Sequence, residues 1–210
     1  MELPLADVSR EGRVSLTMRV LQVTVLLACL GVFPAVAQVL EAKAFEFTPP
    51  AVSVGRFGDQ VGMLSKERDD YATNLSTFAG NLVIEKKASA PSLDTAKRLL
   101  AVALHMSPRN RHALVVGFQL KKGVLPKEKK ADYSSTTLSR LLLSRSRVLA
   151  AEDDAEGKLL ARCLVEISAT IDPRNEDAVF EFEIQRLDTG DVNWEALYVA
   201  PKKEEKAGEP

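Results

Sequence analysis

Apolar residues recur at intervals of three and four positions from Ser65 onward, and this spacing predicts a series of amphipathic helices. The first predicted helix spans residues 65–87. The residues that form its apolar stripe are Tyr71, Leu75, Phe78 and Leu82. The segment SAPS at 89–92 ends this pattern, because proline lacks the amide donor that a helix interior requires.

Two further helices are predicted before the next change of pattern. We expect Ser92 to cap the first of these. Its apolar face contains Ala96, Leu99, Leu100, Ala103 and Leu104. Pro108 ends it, since the residue before a proline is pushed out of the α region. Asn110 is a suitable cap for the shorter helix RHALVVGFQLKK, which ends at Gly123.

The same order of elements repeats after a polar, lysine-rich loop that follows Gly123. The predicted helices cover residues 134–151, 157–171 and 176–187. A capping box at Asp153 and Glu156 precedes the second of them, and Pro173 ends it.

The third helix of this second set, capped by Asn175, contains the segment VFEFEI at 179–184, which alternates apolar and polar residues as a strand does. Its counterpart in the first set follows the same type of cap in a helical context. We therefore expect a helix here too.

Two similar segments mark the same point in each set. MSPRN stands at 106–110 and IDPRN at 171–175, each between the second and third helix. A shift of 65 residues superposes Ala96 on Ala161, Leu100 on Val165 and Pro108 on Pro173. A duplicated three-helix unit explains this, with unit one at 65–123 and unit two at 134–190 of a helical domain spanning 65–198.

The second helix of unit one resembles the second helix of a tetratricopeptide repeat, through Ala96, Leu100, Ala103 and Pro108. The corresponding residues of unit two are Ala161, Val165, Ser168 and Pro173. The resemblance implies an all-α fold: an antiparallel helix-pair stack, or short tetratricopeptide-like α-solenoid, made of two three-helix units behind an irregular N-terminal arm. In this family the concave groove of the stack holds peptides or partner proteins.

The third helices supply candidate groove residues, if they line such a groove. Their periodicity selects Arg111, His112, Gln119 and Lys122 in unit one, and Glu176, Glu183 and Arg186 in unit two. A solvated outer face of the helices is the alternative interpretation of the same residues.

Residues 1–37 have the pattern of an export signal, with Met18 as the expected true start. An apolar run at 20–33 follows Arg19, and small residues at Ala35 and Ala37 predict cleavage before Gln38. The run is shorter than the ~20 residues that span a bilayer. Two alternatives remain, lipidation at Cys29 and an uncleaved anchor, and either would bring the chain into contact with a membrane.

Two segments outside the helices have no regular pattern. The arm at 38–64 is rich in proline and glycine, and we expect it to be extended or loosely ordered, with GRFGDQVG at 55–62 as a flexible linker. The tail at 199–210 is too polar to bury, so we expect it to be disordered.

Composition and charge narrow the classes of partner. The chain has 28 Lys and Arg against 29 Asp and Glu, and only 6% aromatic residues, which argues against nucleic acid. The charges are nevertheless unevenly placed. Residues 121–147 carry eight basic and two acidic side chains, whereas residues 172–191 carry seven acidic and two basic ones. They form either two solvated faces or complementary ends that favour head-to-tail self-association; anionic lipid is a further candidate partner for the basic stretch.

The sequence contains no recognisable catalytic constellation, such as G-x-S-x-G, S-x-x-K or H-E-x-x-H. His105 and His112 are too few for a metal site, which needs three or four ligands. We expect His105 to contact the last carbonyls of its helix, and Cys163 to be an apolar core residue. We expect no cofactor and no metal.

Together these features predict an exported, non-enzymatic helical-repeat module that binds another protein, as an adaptor or scaffold in the periplasm or cell envelope. Two alternatives stay open. The chain is either a self-assembling structural component of the envelope or the non-catalytic N-terminal module of a larger exported enzyme.

Overall fold

The computed structural model describes residues 45–199, which contain seven α helices and no β strand. They are α1 (Ser65–Glu85), α2 (Ala90–Met106), α3 (Arg111–Lys121), α4 (Ser135–Ala151), α5 (Ala155–Ile171), α6 (Glu176–Thr189) and α7 (Trp194–Leu197). The all-α class is thus confirmed. The expected export signal, the arm up to residue 44 and the tail from residue 200 lie outside the described residues.

The second helix of each set lies deepest in the protein. Every residue of α2 from Leu99 to Met106 is buried, and so is every residue of α5 from Cys163 to Ala169. A helix that is buried on all sides requires neighbours around it. α1 packs against α2 and α4 packs against α5, whereas α3 and α6 lie outside these pairs.

The helices recur with the spacing of the sequence repeat. α2 and α5 begin and end 65 residues apart, and α3 and α6 begin 65 residues apart. Both predicted asparagine caps are present: Asn110 Oδ1 accepts from the amide of Ala113 at 2.9 Å, and Asn175 Oδ1 from that of Ala178 at 3.4 Å. Helix, not strand, is confirmed for the alternating segment at 179–184.

Each cap asparagine also fastens its helix to the first helix of the same set. Asn110 Nδ2 donates to Thr73 Oγ1 of α1, and Asn175 Nδ2 donates to Ser139 Oγ of α4, each at 2.8 Å. Each asparagine therefore caps its own helix and also bonds to a hydroxyl of the first helix in its set. These bonds fix the position of α3 on α1 and of α6 on α4.

The core has two parts. The larger part draws residues from the arm, from α1 to α5 and from the C-terminal segment at 192–198. The smaller part consists of Leu143, Val165, Ala169 and Ala178, with Val179 and Phe182 packed against it. α6 therefore rests only on this second cluster, and Ala178 is the one residue of α6 that is fully buried.

The glycine-rich segment at 55–62 packs into the core, so its prediction as a flexible linker is wrong. Phe57 and Val61 are wholly buried. The buried Arg68 donates to the carbonyl of Met63 at 2.6 Å and pairs with Asp59 at 2.6 Å. Local periodicity gave no sign of this, because the segment is held by residues distant in the chain, such as His105 of α2, Arg145 of α4 and Glu156 of α5.

Two cap predictions are also wrong. The cap position of α2 is Ser89, three residues before Ser92, and the helix begins at Ala90, because Pro91 is compatible with the first helical turn, where no amide donor is needed. Asp154, not Asp153, caps α5 and accepts from the amide of Gly157 at 2.6 Å. Glu156 does not complete the capping box, since its carboxylate is bonded to Arg56 at 2.9 Å.

His105 joins the arm and the C-terminal segment to α2. Its Nδ1 accepts from the amide of Arg56 at 3.3 Å, so its Nε2 carries the proton and donates to the carbonyl of Leu197 at 2.9 Å. The expectation that it contacts the end of its own helix is wrong. Beside it, the amide of Ala51 donates to the carbonyl of Tyr198 at 2.7 Å.

Candidate protein-binding surfaces

α3 exposes an apolar stripe that an ordinary surface helix would bury. Leu114, Val115 and Phe118 are all exposed, Phe118 by 62% of its surface. They lie on the side of the helix away from Ala113, Val116 and Leu120, which hold it to the core. Apolar residues on both sides of one helix make the outer side a candidate binding surface.

Basic side chains surround this stripe. Arg111, Lys121 and Lys122 are exposed, and the ammonium of Lys122 lies 5.8 Å from the centre of the Phe118 ring. Residues 95–127 contain no Asp or Glu. The nearest carboxylate at the start of α3, Asp69, accepts bonds from Ser107 and Asn110 at 2.8 and 2.9 Å. We call this surface the basic face: Leu114, Val115 and Phe118 with Arg111, Lys121 and Lys122.

A groove runs beside the basic face. It has a volume of about 640 Å³. Pro49 and Pro50 of the arm form one wall, and α3 residues including Val115, Gly117 and Phe118 form the other. The arm lies directly against α3 here, since a Cβ at Gly117 would be in van der Waals contact with Pro49 at 3.8 Å. The stripe therefore continues into a concavity.

α6 exposes a second apolar stripe. Phe180 is 65% exposed and Leu187 71%, and Ile184 between them is exposed as well. The alternation in the sequence is explained by this arrangement: on a helix, Val179 and Phe182 point towards the small cluster, while Phe180 and Ile184 fall on the outer side.

Acidic side chains of α6 itself flank its apolar stripe, whereas Arg147, Lys158 and Arg162 of α4 and α5 line the cavity that Phe180 and Ile184 border. Glu176, Asp177 and Asp188 are exposed. Within residues 45–199, the carboxylates of Glu176 and Asp188 form no hydrogen bond or ion pair. The carboxylate of Asp177 lies 3.9 Å from the guanidinium of Arg147. We call this surface the acidic face: Phe180, Ile184 and Leu187 with Glu176, Asp177 and Asp188.

The candidate groove residues lie on these two helices but in separate places. Arg111 and Lys122 belong to the basic face, Gln119 lines the groove beside it, and Glu176 belongs to the acidic face. Glu183 and Arg186 pair with each other at 2.6 Å. No hydrogen bond or ion pair between residues 45 and 199 joins α3 to α6.

His112 lies at the start of α3 in a shallower cavity of about 410 Å³, with Arg111, Asn110 and Lys129. Its Nε2 is buried without a hydrogen-bond partner among the described residues. Burial, and then the charge of Lys129, lower the pKa of this imidazole. The ring is therefore neutral at pH 7, and it adds no charge to the basic face.

The cavity between α1 and α4 is less suited to a charged partner. It has a volume of about 280 Å³ and is lined by Tyr71, Tyr133 and Leu141 among others. Its charges are satisfied internally, since Lys66 pairs with Asp70 at 2.8 Å. This cavity therefore resembles a gap between two packed helices more than a recognition site.

Reactive groups in the described region are buried or scattered. Cys163 is wholly buried, and burial raises the pKa of its thiol, which keeps it protonated and unreactive. No cluster of three or more His, Cys, Asp or Glu residues in the stretch 45–199 has metal-binding proximity. None of the helices described is both long and apolar enough to cross a bilayer.

Sequence analysis selected polar residues and missed the exposed apolar ones. The sequence does mark the exposed apolar residues, since the segments HALVVGFQL and VFEFEIQRL contain more large apolar residues than one buried side of a helix accommodates.

Comparison with family models, curated proteins and solved structures finds no match to this chain.

Proposed function

We propose that this chain is an exported, non-enzymatic helical-repeat module that binds another protein through the basic face. The exposed apolar stripe on α3, with Arg111, Lys121 and Lys122 at its edges, carries the proposal. Exposed apolar surface with a polar rim is typical of a protein-binding site. An adaptor or scaffold in the periplasm or cell envelope is the role that fits, given the export signal expected from the sequence.

The repeat arrangement is part of this proposal. In a tetratricopeptide-like stack, each helix pair buries its face against the next pair. The 65-residue spacing of the helices supports such a duplication, and so does the shared use of Asn110 and Asn175. In that reading α3 and α6 are the first helices of pairs whose second helix a partner supplies.

The chemistry of the face selects the class of partner. An apolar stripe on a helix is matched by the apolar stripe of another amphipathic helix, bound as a helix in a groove. Arg111, Lys121 and Lys122 select acidic residues on the edges of that helix and disfavour basic ones. The expected partner segment is therefore an acidic amphipathic helix.

Binding of designed peptides tests this proposal. A fluorescently labelled helical peptide with Leu and Phe at i, i+4 and i+7 and Glu on both edges is titrated with the protein. Its control carries Lys in place of Glu. We expect the acidic peptide to bind at least tenfold more tightly, and the difference to shrink as salt is raised. Equal binding of both peptides, or of neither, would contradict the proposal.

A pair of variants locates the site. Phe118→Ser removes the centre of the basic face, and Phe180→Ser removes a side chain of nearly equal exposure on α6. We expect only Phe118→Ser to weaken peptide binding, by about tenfold, which corresponds to about 1.4 kcal/mol.

Mass spectrometry of the protein that cells accumulate tests the proposed export. We expect a mature chain that begins at Gln38.

A further inference from the structure

We propose that the acidic face of a second copy of this chain occupies the basic face. The inference rests on the proposed function, since it names the partner of the same surface. An acidic amphipathic helix is the partner that the basic face selects, and α6 is such a helix. The chain thus carries both halves of one contact.

The two faces match in apolar content. α3 offers Leu114, Val115 and Phe118, and α6 offers Phe180, Ile184 and Leu187. Three large apolar side chains on each side allow one row to pack between the other, as helices with interdigitating ridges do. α3 has 11 residues and α6 has 14, so either helix covers the other over most of its length.

They are also complementary in charge. The rim of the basic face consists of Arg111, Lys121 and Lys122, and residues 95–127, which include all of α3, contain no Asp or Glu. Asp69 of α1, which lines a cavity with Arg111, is held by Ser107 and Asn110. The rim of the acidic face consists of Glu176, Asp177 and Asp188. Contact of two basic faces, or of two acidic faces, would place like charges together. A symmetric dimer through either face is therefore disfavoured, and the unlike pairing is favoured.

The mode of assembly follows from this pairing. A contact between two different faces leaves one free basic face and one free acidic face after each addition. Such head-to-tail contacts close into a ring or continue as a filament, depending on the rotation between copies. Because each contact involves one short helix on either side, we expect association in the micromolar range, with sizes that grow with concentration.

Two double variants test the inference in the full chain, purified in the form that accumulates. Val115→Ser with Phe118→Ser removes most of the apolar stripe of the basic face. Phe180→Ser with Leu187→Ser does the same for the acidic face. All four side chains are exposed, so the fold should be retained, which circular dichroism checks. By sedimentation velocity we expect the unmodified chain to form a concentration-dependent series, and each variant to weaken association about 30-fold.

Mixing the two variants provides the decisive measurement. Each retains one intact face, so the mixture is expected to form a 1:1 heterodimer and nothing larger. Association that only the α3 variant abolishes would overturn the inference in favour of a basic-face homodimer, and loss in the α6 variant alone would indicate the reverse. Unchanged association in both would show that other surfaces make the contact.

Cross-linking of the unmodified chain needs no variant. With a mixture of ¹⁴N and ¹⁵N protein, a zero-length carboxyl–amine reagent is expected to join Lys121 or Lys122 of one copy to Glu176, Asp177 or Asp188 of another. Inter-chain links confined to other residues would overturn the inference.

The peptide titration separates this inference from the proposed function. A chain that stays monomeric at all concentrations and salts, yet binds the acidic peptide through Phe118, would sink self-assembly and leave protein binding intact. A chain that neither assembles nor binds the peptide would remove both.

Discussion

Acidification should destabilise the protein through His105, one of its two histidines. The ring is wholly buried, and burial lowers its pKa below the usual 6.5; the charge of Arg56 acts in the same direction, while Glu156 and the bond to Leu197 oppose it. A proton on Nδ1 would face the amide of Arg56, which already donates to that atom. The native state therefore holds the ring neutral.

The sign of the effect follows from proton linkage. Well above pH 6.5 neither the folded nor the unfolded chain protonates His105, so its contribution does not vary. Between pH 6.5 and the lowered native pKa the unfolded chain binds more protons, and stability falls as the pH falls. The slope reaches at most about 1.4 kcal/mol per pH unit. His112, whose pKa burial also lowers, adds a slope of the same sign.

Substitution isolates the contribution of His105. His105→Phe keeps an aromatic ring of similar size, but it removes the hydrogen bonds that the imidazole makes with the carbonyl of Leu197 and the amide of Arg56. The loss of a hydrogen bond to a buried group costs about 1–3 kcal/mol, so for two bonds we expect a loss of about 2–6 kcal/mol at pH 7. The loss should shrink towards pH 5, since the unmodified chain is weakened there by its own protonation.

Urea denaturation at pH 7.5, 6.5, 5.5 and 5.0 measures this. Glu166, whose pKa is raised mainly by burial, gives a slope of the opposite sign at low pH, but it is present in both chains and cancels in the difference. His112→Gln serves as the control that keeps the His105 contribution. A difference between the unmodified chain and His105→Phe that is constant with pH would refute a neutral, buried His105.

Three further predictions concern the helical scaffold. Asn110→Asp keeps the cap oxygen but loses the amide donor beside a carboxylate, so it should lower the free energy of unfolding by about 2–3 kcal/mol; Asn175→Asp, whose amide donates to a hydroxyl alone, should cost about 1–2 kcal/mol in the same urea titration. Arg98→Met removes the 2.6 Å ion pair of the buried Glu166; because the arginine is itself partly exposed, we expect a loss of about 1–3 kcal/mol, visible in the fluorescence of the single tryptophan that shares this carboxylate. Cys163 should react with iodoacetamide only as fast as the protein unfolds, measured by peptide mapping; rapid labelling in native buffer would contradict its burial.

Local pattern was sufficient to predict the helices and two of their caps. The three- and four-residue spacing placed α1 to α6 close to their observed bounds, and Asn110 and Asn175 cap the helices expected of them. These features depend on residues within one or two turns of each other. For that reason a single sequence contains the information.

Long-range contacts were beyond such reasoning. Phe57 is buried because α2 lies against it, and His105 contacts Leu197, which is distant in sequence. The cap of α5 is Asp154 and not the predicted Asp153, and Glu156 binds Arg56 of the arm instead of completing a capping box. In each case a partner from another part of the chain decided the outcome.

The binding surfaces were predicted only to the level of the helix. Periodicity led to α3 and α6, but it favoured charged residues such as Lys122 and Glu176 over Phe118 and Phe180. An apolar residue in a helix is ordinarily assigned to the core. Only the packing shows which side of each helix the core leaves uncovered, so the groove residues of the sequence analysis stay a prediction.

The pairing of Ala51 with Tyr198 has a consequence for the order of folding. The two residues meet although almost the whole described chain separates them, and the turn α7 completes the burial of Phe57 and His105. Synthesis must therefore be nearly finished before the core can close, and closing so long a loop slows folding. A polypeptide that threads through a membrane pore has to remain unfolded until it arrives. Under the export that we propose, late closure by residues 194–198 would keep this chain competent for that passage.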